Sequence, residues 1–397
     1  MTCKIRKKEI GGYSIMKKII ALLVVLALIF ALVACPAPEE PVVDPETDDP
    51  NIDVDVTPVP EIPDGVSGKV ALVTDVGDID DKSFNQGTWE GVVAFGEATG
   101  VEYKYFRPSE DADEARIETI RNAIDDGATA VVCPGFLFET AIYAVQGDYP
   151  DVNFLLIDGE PHTEDYATYF TAPNTHNILF KEEQAGYFAG WAAVMDGFTK
   201  LGFCGGMDVP AVVRYGFGYV QGANDAAKEK GNVDDIELKY WYSGVFWPTD
   251  DVKAKMASWY GSGTEVVFAC GGGLLFSVIA AAEEAGAKVI GVDVDQSAES
   301  DLIITSAMKG LTYSTHMSLL ALFENDWVWP ADFAGQTANL GAADNAVGLP
   351  TAAGSWRLST FSVADYEAIF AKVAAGEIAV SNSIDAPPTV DIAVKYE

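Results

Sequence analysis

Asp75, Phe84 and Asn85 stand close together in DVGDIDDKSFNQG, directly after the apolar run KVALVT. A carboxylate accepts hydrogen bonds from ring N–H groups or sugar hydroxyls, an amide both donates and accepts, and an aromatic face stacks on a flat ring. That set of side chains suits recognition of a small polar ring compound. Residues 69–74 alternate and branch as a buried strand does, and the polar loop begins where that strand ends. Ser83 with Gln86 has the spacing of a capping box, which predicts a helix starting there with Phe84 and Asn85 in its first turn. Asp75 then lies at the carboxyl end of a strand, the edge where open α/β sheets bind ligands.

DVGDIDDKSFNQ followed by GTWEG resembles the signature of the basic membrane protein family of ABC-transporter substrate-binding lipoproteins, which includes purine nucleoside receptors. The resemblance runs over residues 69–380. It implies an α/β fold of the type I periplasmic-binding-protein kind, with two doubly wound parallel-sheet lobes joined by a hinge. It also implies a purine nucleoside of the adenosine, guanosine or inosine class as ligand, no catalysis and no cofactor. Separate ABC permease and ATPase subunits would be the protein partners. Receptors of this family place Asp, Phe, Asn, Asp, Phe, Asp and Lys around base and ribose. The residues matching by type are Asp75, Phe84, Asn85, Asp158, Phe246, Asp293 and Lys309.

The pattern of the chain agrees with two lobes. Strands are expected near 70–74, 102–106, 130–133 and 153–157, with helices near 83–98, 112–126 and 137–147. After a helix at 180–195 the alternation repeats, with strands near 200–204, 237–241, 265–270 and 288–292 and helices near 213–230, 248–260 and 274–285. Apolar strands separated by amphipathic helices indicate parallel sheets covered on both faces. The resemblance implies a late return to the first lobe with residues 305–310 as the crossing strand, while 331–348 read as loop and 363–375 as a helix ended by Gly376. The expected division is 67–174 with about 308–340 in the first lobe, and 175–307 with about 345–397 in the second.

On that scaffold Asp75, Asp158, Phe246, Gly272 and Asp293 all follow strands, so they gather at the facing edges of the lobes. Phe84 and Phe246 can sandwich a heterocycle, with Trp247 the rival for the second face. Asn85 suits a purine edge, Asp75 or Asp293 can accept from sugar hydroxyls, and Lys309 can donate to the same sugar. Glycines 271–273 let backbone N–H groups approach a ligand with no Cβ in the way.

The N-terminus speaks to location. Met16, Lys17 and Lys18 precede the apolar run 19–31 and then Leu32-Val33-Ala34-Cys35, an arrangement of secretory signal type. It resembles a bacterial lipobox, which makes Cys35 the lipid-bearing first residue of the mature protein and the membrane anchor in the cell envelope. Residues 1–15 read as leader upstream of that signal. Residues 36–66 hold 8 prolines and 10 acidic residues without Lys, Arg or aromatics, a composition expected to form an extended, disordered tether. Residues 36–397 keep 19 of the 25 basic and 59 of the 60 acidic groups, a net charge of −40. So acidic a surface repels nucleic acid backbones.

Enzymatic signals are weak. Ser306-Ala-Met-Lys309 fits SxxK only at two positions, and the 271–273 glycines lack the spacing and lysine of a phosphate loop. The Asp293 run begins like a calcium loop but has Ala298 and Ile304 where glycine and glutamate are needed. His162, His176 and His316 form no metal or triad spacing, and Cys133, Cys204 and Cys270 each sit in an apolar strand-like run as small buried hydrophobes. The remaining alternatives are a sensory or surface-interaction lipoprotein with the same fold, or a receptor for a sugar or furanone.

Overall fold

The computed structural model describes residues 68–397 apart from Val76. The signal, Cys35 and the acidic tether lie outside the described residues. The first lobe is built from β1 (Lys69–Val73), α1 (Phe84–Thr99), β2 (Glu102–Phe106), α2 (Asp113–Asp125), β3 (Ala130–Pro134), α3 (Glu139–Val145), β4 (Asn153–Ile157) and β5 (Thr175–Phe180). The second contains α4 (Glu182–Asp196), β6 (Lys200–Gly205), α5 (Pro210–Lys230), β7 (Glu237–Tyr242), α6 (Asp250–Gly261), β8 (Val266–Cys270), α7 (Leu275–Ala285), β9 (Lys288–Asp293) and β10 (Ile303–Lys309). Then come α8 (Leu311–Glu324), β11 (Thr337–Leu340), β12 (Val347–Gly348), α9 (Val363–Ala374) and β13 (Ala393–Tyr396).

The sheets run β11-β5-β4-β3-β1-β2 and β12-β10-β9-β8-β6-β7-β13. Both contain the doubly wound order 2-1-3-4-5, and every pairing is parallel except that of β12 with β10. β3, β4 and β8 are buried along their whole length, as strands covered by helices on both faces must be. The strand order reverses between β1 and β3 in one lobe and between β6 and β8 in the other. Those are the switch points where such sheets bind ligands.

Three differences from the sequence reading concern where the chain changes lobe. Thr175–Phe180 is a strand of the first sheet, so the first crossing follows Phe180 rather than residue 174. Its register buries His176 and Asn177 among hydrogen-bond partners, which hides the strand from an apolar-run criterion. Residues 305–310 do not cross; β10 pairs with β9 inside the second sheet, and the chain returns only with α8, which packs on α1. The segment read as loop contains β11, added to the edge of the first sheet, and β12, added to the second. α9 packs on α4, in the second lobe.

Small residues set the tightest packing. α4 and α5 cross so closely that a Cβ on Gly190 would stand 2.1 Å from the Tyr219 carbonyl oxygen, and one on Gly222 would stand 2.0 Å from that of Tyr187. Gly186 and Gly218 face the opposing helix in the same way. This rigid pair carries Glu182 and Arg214 at its cleft end.

Candidate functional site

The first wall of the cleft begins after β1. Asp75 Oδ1 accepts from Gly77 N at 2.6 Å and from Asn85 Nδ2 at 2.7 Å, while Asn85 Oδ1 accepts from Asp75 N at 3.2 Å. The two side chains therefore fix each other. Burial pushes the Asp75 carboxyl up to about 6 against the bonds from Gly77 and Asn85. The capping box expected of Ser83 and Gln86 does not form. Asp81 performs the capping instead: its carboxylate accepts from the backbone N–H groups of Ser83, Asn85 and Gln86 at 2.9, 3.0 and 3.1 Å, and from Asn85 Nδ2 at 3.0 Å. Ser83 Oγ is thereby free to donate to Asp293 at 2.6 Å, and Gln86 bonds Glu90.

Phe246 stands on the second wall. Its ring lies against Gly206, where a Cβ would come within 2.4 Å of it, and beside Gly271. Leu274 N donates to its carbonyl at 3.2 Å. Gly135 after β3 and Gly271 after β8, with φ of 114° and 159°, each lead into a short 3-10 turn, so the two lobes present the same glycine turn to the cleft. Asp158 and Asp293 also correspond, both in the left-handed region at φ 59° and 67°. Such strain on a non-glycine residue concentrates at functional positions.

Lys309, at the end of β10, joins the walls. Its ammonium forms an ion pair with Asp158 of the first lobe and lies 3.6 Å from Asp293 and 3.7 Å from Glu182. It also stands 4.6 Å from the Phe84 ring centre. Burial works against the ammonium, yet the carboxylates of Asp158, Asp293 and Glu182 outweigh it and hold its pKa above the ordinary lysine value. Burial likewise raises the Asp158 carboxyl, with Lys309 opposing and Glu182 reinforcing. Arg214 Nε donates to Glu182 Oε2 at 2.6 Å. Asp158 Oδ1 is buried and has no hydrogen-bond partner.

Asp75, Phe84, Asn85, Asp158, Phe246, Gly272, Asp293 and Lys309 all line one cavity of about 250 Å³ between the lobes. Trp247 lies outside it, nearly half exposed, whereas Phe246 lines it from the second wall. Asp81, Arg214 and Tyr215 line it too and escaped the sequence reading. An Asp two residues before an N-cap Ser is a signal that could have exposed Asp81; Arg214 and Tyr215 lie inside a helix and carry none. The cavity is also faced by Glu139 and Glu160; Glu139 lies 3.0 Å from His162 Nε2. Among the described residues no group of His, Cys, Asp or Glu is placed to hold a metal ion.

Residues 68–381 match the Bmp family, described as ABC transporter substrate-binding protein PnrA-like. The chain belongs to the Bmp family. It is 32% identical over 251 residues to the ABC transporter nucleoside-binding protein BmpA of Lactococcus lactis, a match covering 58% of this chain and 67% of that protein. Basic membrane protein B of Borreliella afzelii is 26% identical over 72% of this chain and 81% of its own. An uncharacterized lipoprotein of Pyrococcus furiosus is 26% identical, with 66% of each chain matched. In fold, this Bmp protein is similar to an ABC transporter solute-binding protein from Aeropyrum pernix, with TM-score 0.68 and 22% identity over 80% of this chain and 94% of the other. A second, from Conexibacter woesei, has TM-score 0.62 and 22% identity over 80% and 99%.

Proposed function

We propose that this Bmp protein captures a purine nucleoside in the interlobe cleft and passes it to a separate permease driven by an ATPase. The observation that carries the reading is the division of labour along one cavity. Phe84 and Phe246 line it from opposite lobes, each ring offering about 1 kcal/mol of stacking beyond burial. Next to Phe84 the amide of Asn85, bonded to Asp75 and Asp81, holds the Asp75 carboxylate in place as an acceptor, which suits the N–H groups along the edge of a purine. Asp158, Asp293 and Lys309 supply the partners a ribose needs, and Asp158 Oδ1 is an open acceptor for a sugar hydroxyl. The lactococcal relative, described as nucleoside-binding, supports the same ligand class.

Delivery to a membrane calls for an anchor, and we assign that role to a lipid on Cys35. The described residues contain no helix long and apolar enough to cross a membrane. Mass spectrometry of small molecules released from the purified, denatured protein, with a thermal-shift screen of nucleosides, bases, sugars and amino acids, tests the ligand. A ligand at a hundredfold excess over its Kd stabilises the native state by about 2.7 kcal/mol. A melting temperature unmoved by every nucleoside would overturn the reading.

A further inference from the structure

The loop after β9 reaches across to the first lobe at a point outside the cavity lining. Gln296, 1% exposed, accepts Val292 N–H on Oε1 at 2.7 Å and donates from Nε2 to the Lys82 carbonyl at 2.8 Å. Its own N–H donates to Ser306 Oγ on β10 at 3.1 Å. The serine of the SxxK match thus holds the Gln296 backbone. A Cβ on Gly291 would fall 2.6 Å from both Gln296 Oε1 and Ser306 Oγ, so glycine there makes room for the arrangement. Beside it Ser83 Oγ donates to Asp293 at 2.6 Å, and Val294 Cγ1 would stand 2.9 Å from a Cβ on Gly87 of α1.

The Gln296–Lys82 and Ser83–Asp293 bonds and the Val294–Gly87 contact join the second lobe to α1 and the turn entering it, while the bonds to Val292 and Ser306 hold Gln296 in place within its own lobe. Lys82 has a φ of 58°, strained for a lysine, and directly precedes Ser83, Phe84 and Asn85. Gln296 does not line the cavity. We propose that Gln296 is a positioning residue for ligand capture: its amide holds the Lys82 carbonyl across the lobe seam and ties lobe closure to the turn bearing Phe84 and Asn85. Separation of the lobes breaks this bond, and a bound ligand leaves through separated lobes. The seam therefore slows release while leaving capture alone. The geometry is independent of the ligand; only the kinetic consequence rests on the nucleoside reading.

The test uses Gln296→Glu at pH 8 and Gln296→Met. The glutamate keeps an acceptor for Val292 N–H and loses the donor to Lys82; the methionine keeps the length and loses both bonds. Hydrogen exchange at the Ser83–Gln86 amides reads the seam with no ligand assumption, and stopped-flow tryptophan fluorescence with inosine or adenosine reads kon and koff. Expected are faster exchange at those amides and a koff raised about tenfold, the size of one lost hydrogen bond, with kon within about twofold of wild type. Unchanged exchange, or faster exchange with unchanged koff, overturns the proposal. A wild-type protein that binds no nucleoside fails the nucleoside reading alone, since the exchange result still decides the seam.

Discussion

Asp158 and Asp293 are counterparts in the two lobes, and both reach the ammonium of Lys309. β4 and β9 hold the same place in their sheets, and each aspartate stands at the strand's carboxyl end with a positive φ. One cation thus binds the two halves of a repeated architecture, with Glu182 as the third carboxylate.

Lys309→Met follows from that relationship. Removing one partner of a buried ion cluster leaves uncompensated charge and costs about 3–5 kcal/mol. The loss shrinks at low pH, because Asp158, whose carboxyl burial already raises, takes up a proton once its cation is gone. Denaturant melts should show the variant much less stable than wild type at pH 8 and closer to it at pH 5. An equal deficit at both values would mean that Lys309 acts through packing.

The helix crossing of α4 with α5 offers a test of packing. Gly190→Ala puts a methyl 2.1 Å from the Tyr219 oxygen and should destabilise by about 1–3 kcal/mol or more. Gly261→Ala, at the end of α6 with nothing within 4 Å, should be neutral or stabilise by about 0.5–1 kcal/mol. Thermal melts of the two variants, moving in opposite directions, check the claim.

Glu183 makes a pH prediction away from the cavity. Burial pushes its carboxyl up to about 7, Glu182 reinforces this, and its Oε2 is buried without a hydrogen-bond partner. The native state therefore keeps a proton that the unfolded chain releases near the ordinary carboxylate value. Stability falls as pH rises from there through about 7. His176, lowered to about 4 by burial, and His316, also lowered by burial, act the other way, weakening the fold as pH falls through the ordinary imidazole range. Glu183→Gln should raise the melting temperature at pH 8 by about 2–4 °C and change it little at pH 5.

Much of this site was legible because strand ends of a doubly wound sheet converge whatever the loops do. Asp75, Asp158, Gly272 and Asp293 needed only strand assignments to be placed on one edge. Glu182 was not legible: it follows β5, a strand whose buried His176 and Asn177 are satisfied by partners far along the chain. Asp81 was obscured by Ser83, which has the better local capping sequence but spends its hydroxyl on Asp293 in the other lobe. β11, β12 and β13 are short edge strands that tertiary pairing alone defines.

Cys35→Ser tests the anchor. If the proposed lipid on Cys35 is the attachment, replacing the cysteine removes it, and the variant should appear in the soluble extracytoplasmic fraction. Retention of the variant in washed membranes would show that attachment does not depend on this cysteine.

Phe84, Asn85 and Asp293 are expected to divide one nucleoside between them. Phe84→Ala removes a stacking face worth about 1–3 kcal/mol and should weaken nucleosides and free bases alike. Asn85→Ala removes the amide held by Asp75 and Asp81 and should blur discrimination between purines and pyrimidines. Asp293 needs a milder change, because it also accepts from Ser83 and faces Lys309. Asp293→Asn keeps an acceptor for Ser83 and loses the charge offered to sugar hydroxyls, about 1.5–3 kcal/mol for a charged hydrogen bond. Titration calorimetry against adenosine, guanosine, uridine and guanine separates the roles. Asp293→Asn should weaken guanosine while leaving guanine close to wild type; equal losses for both would remove Asp293 from the ribose side and make it a seam residue only.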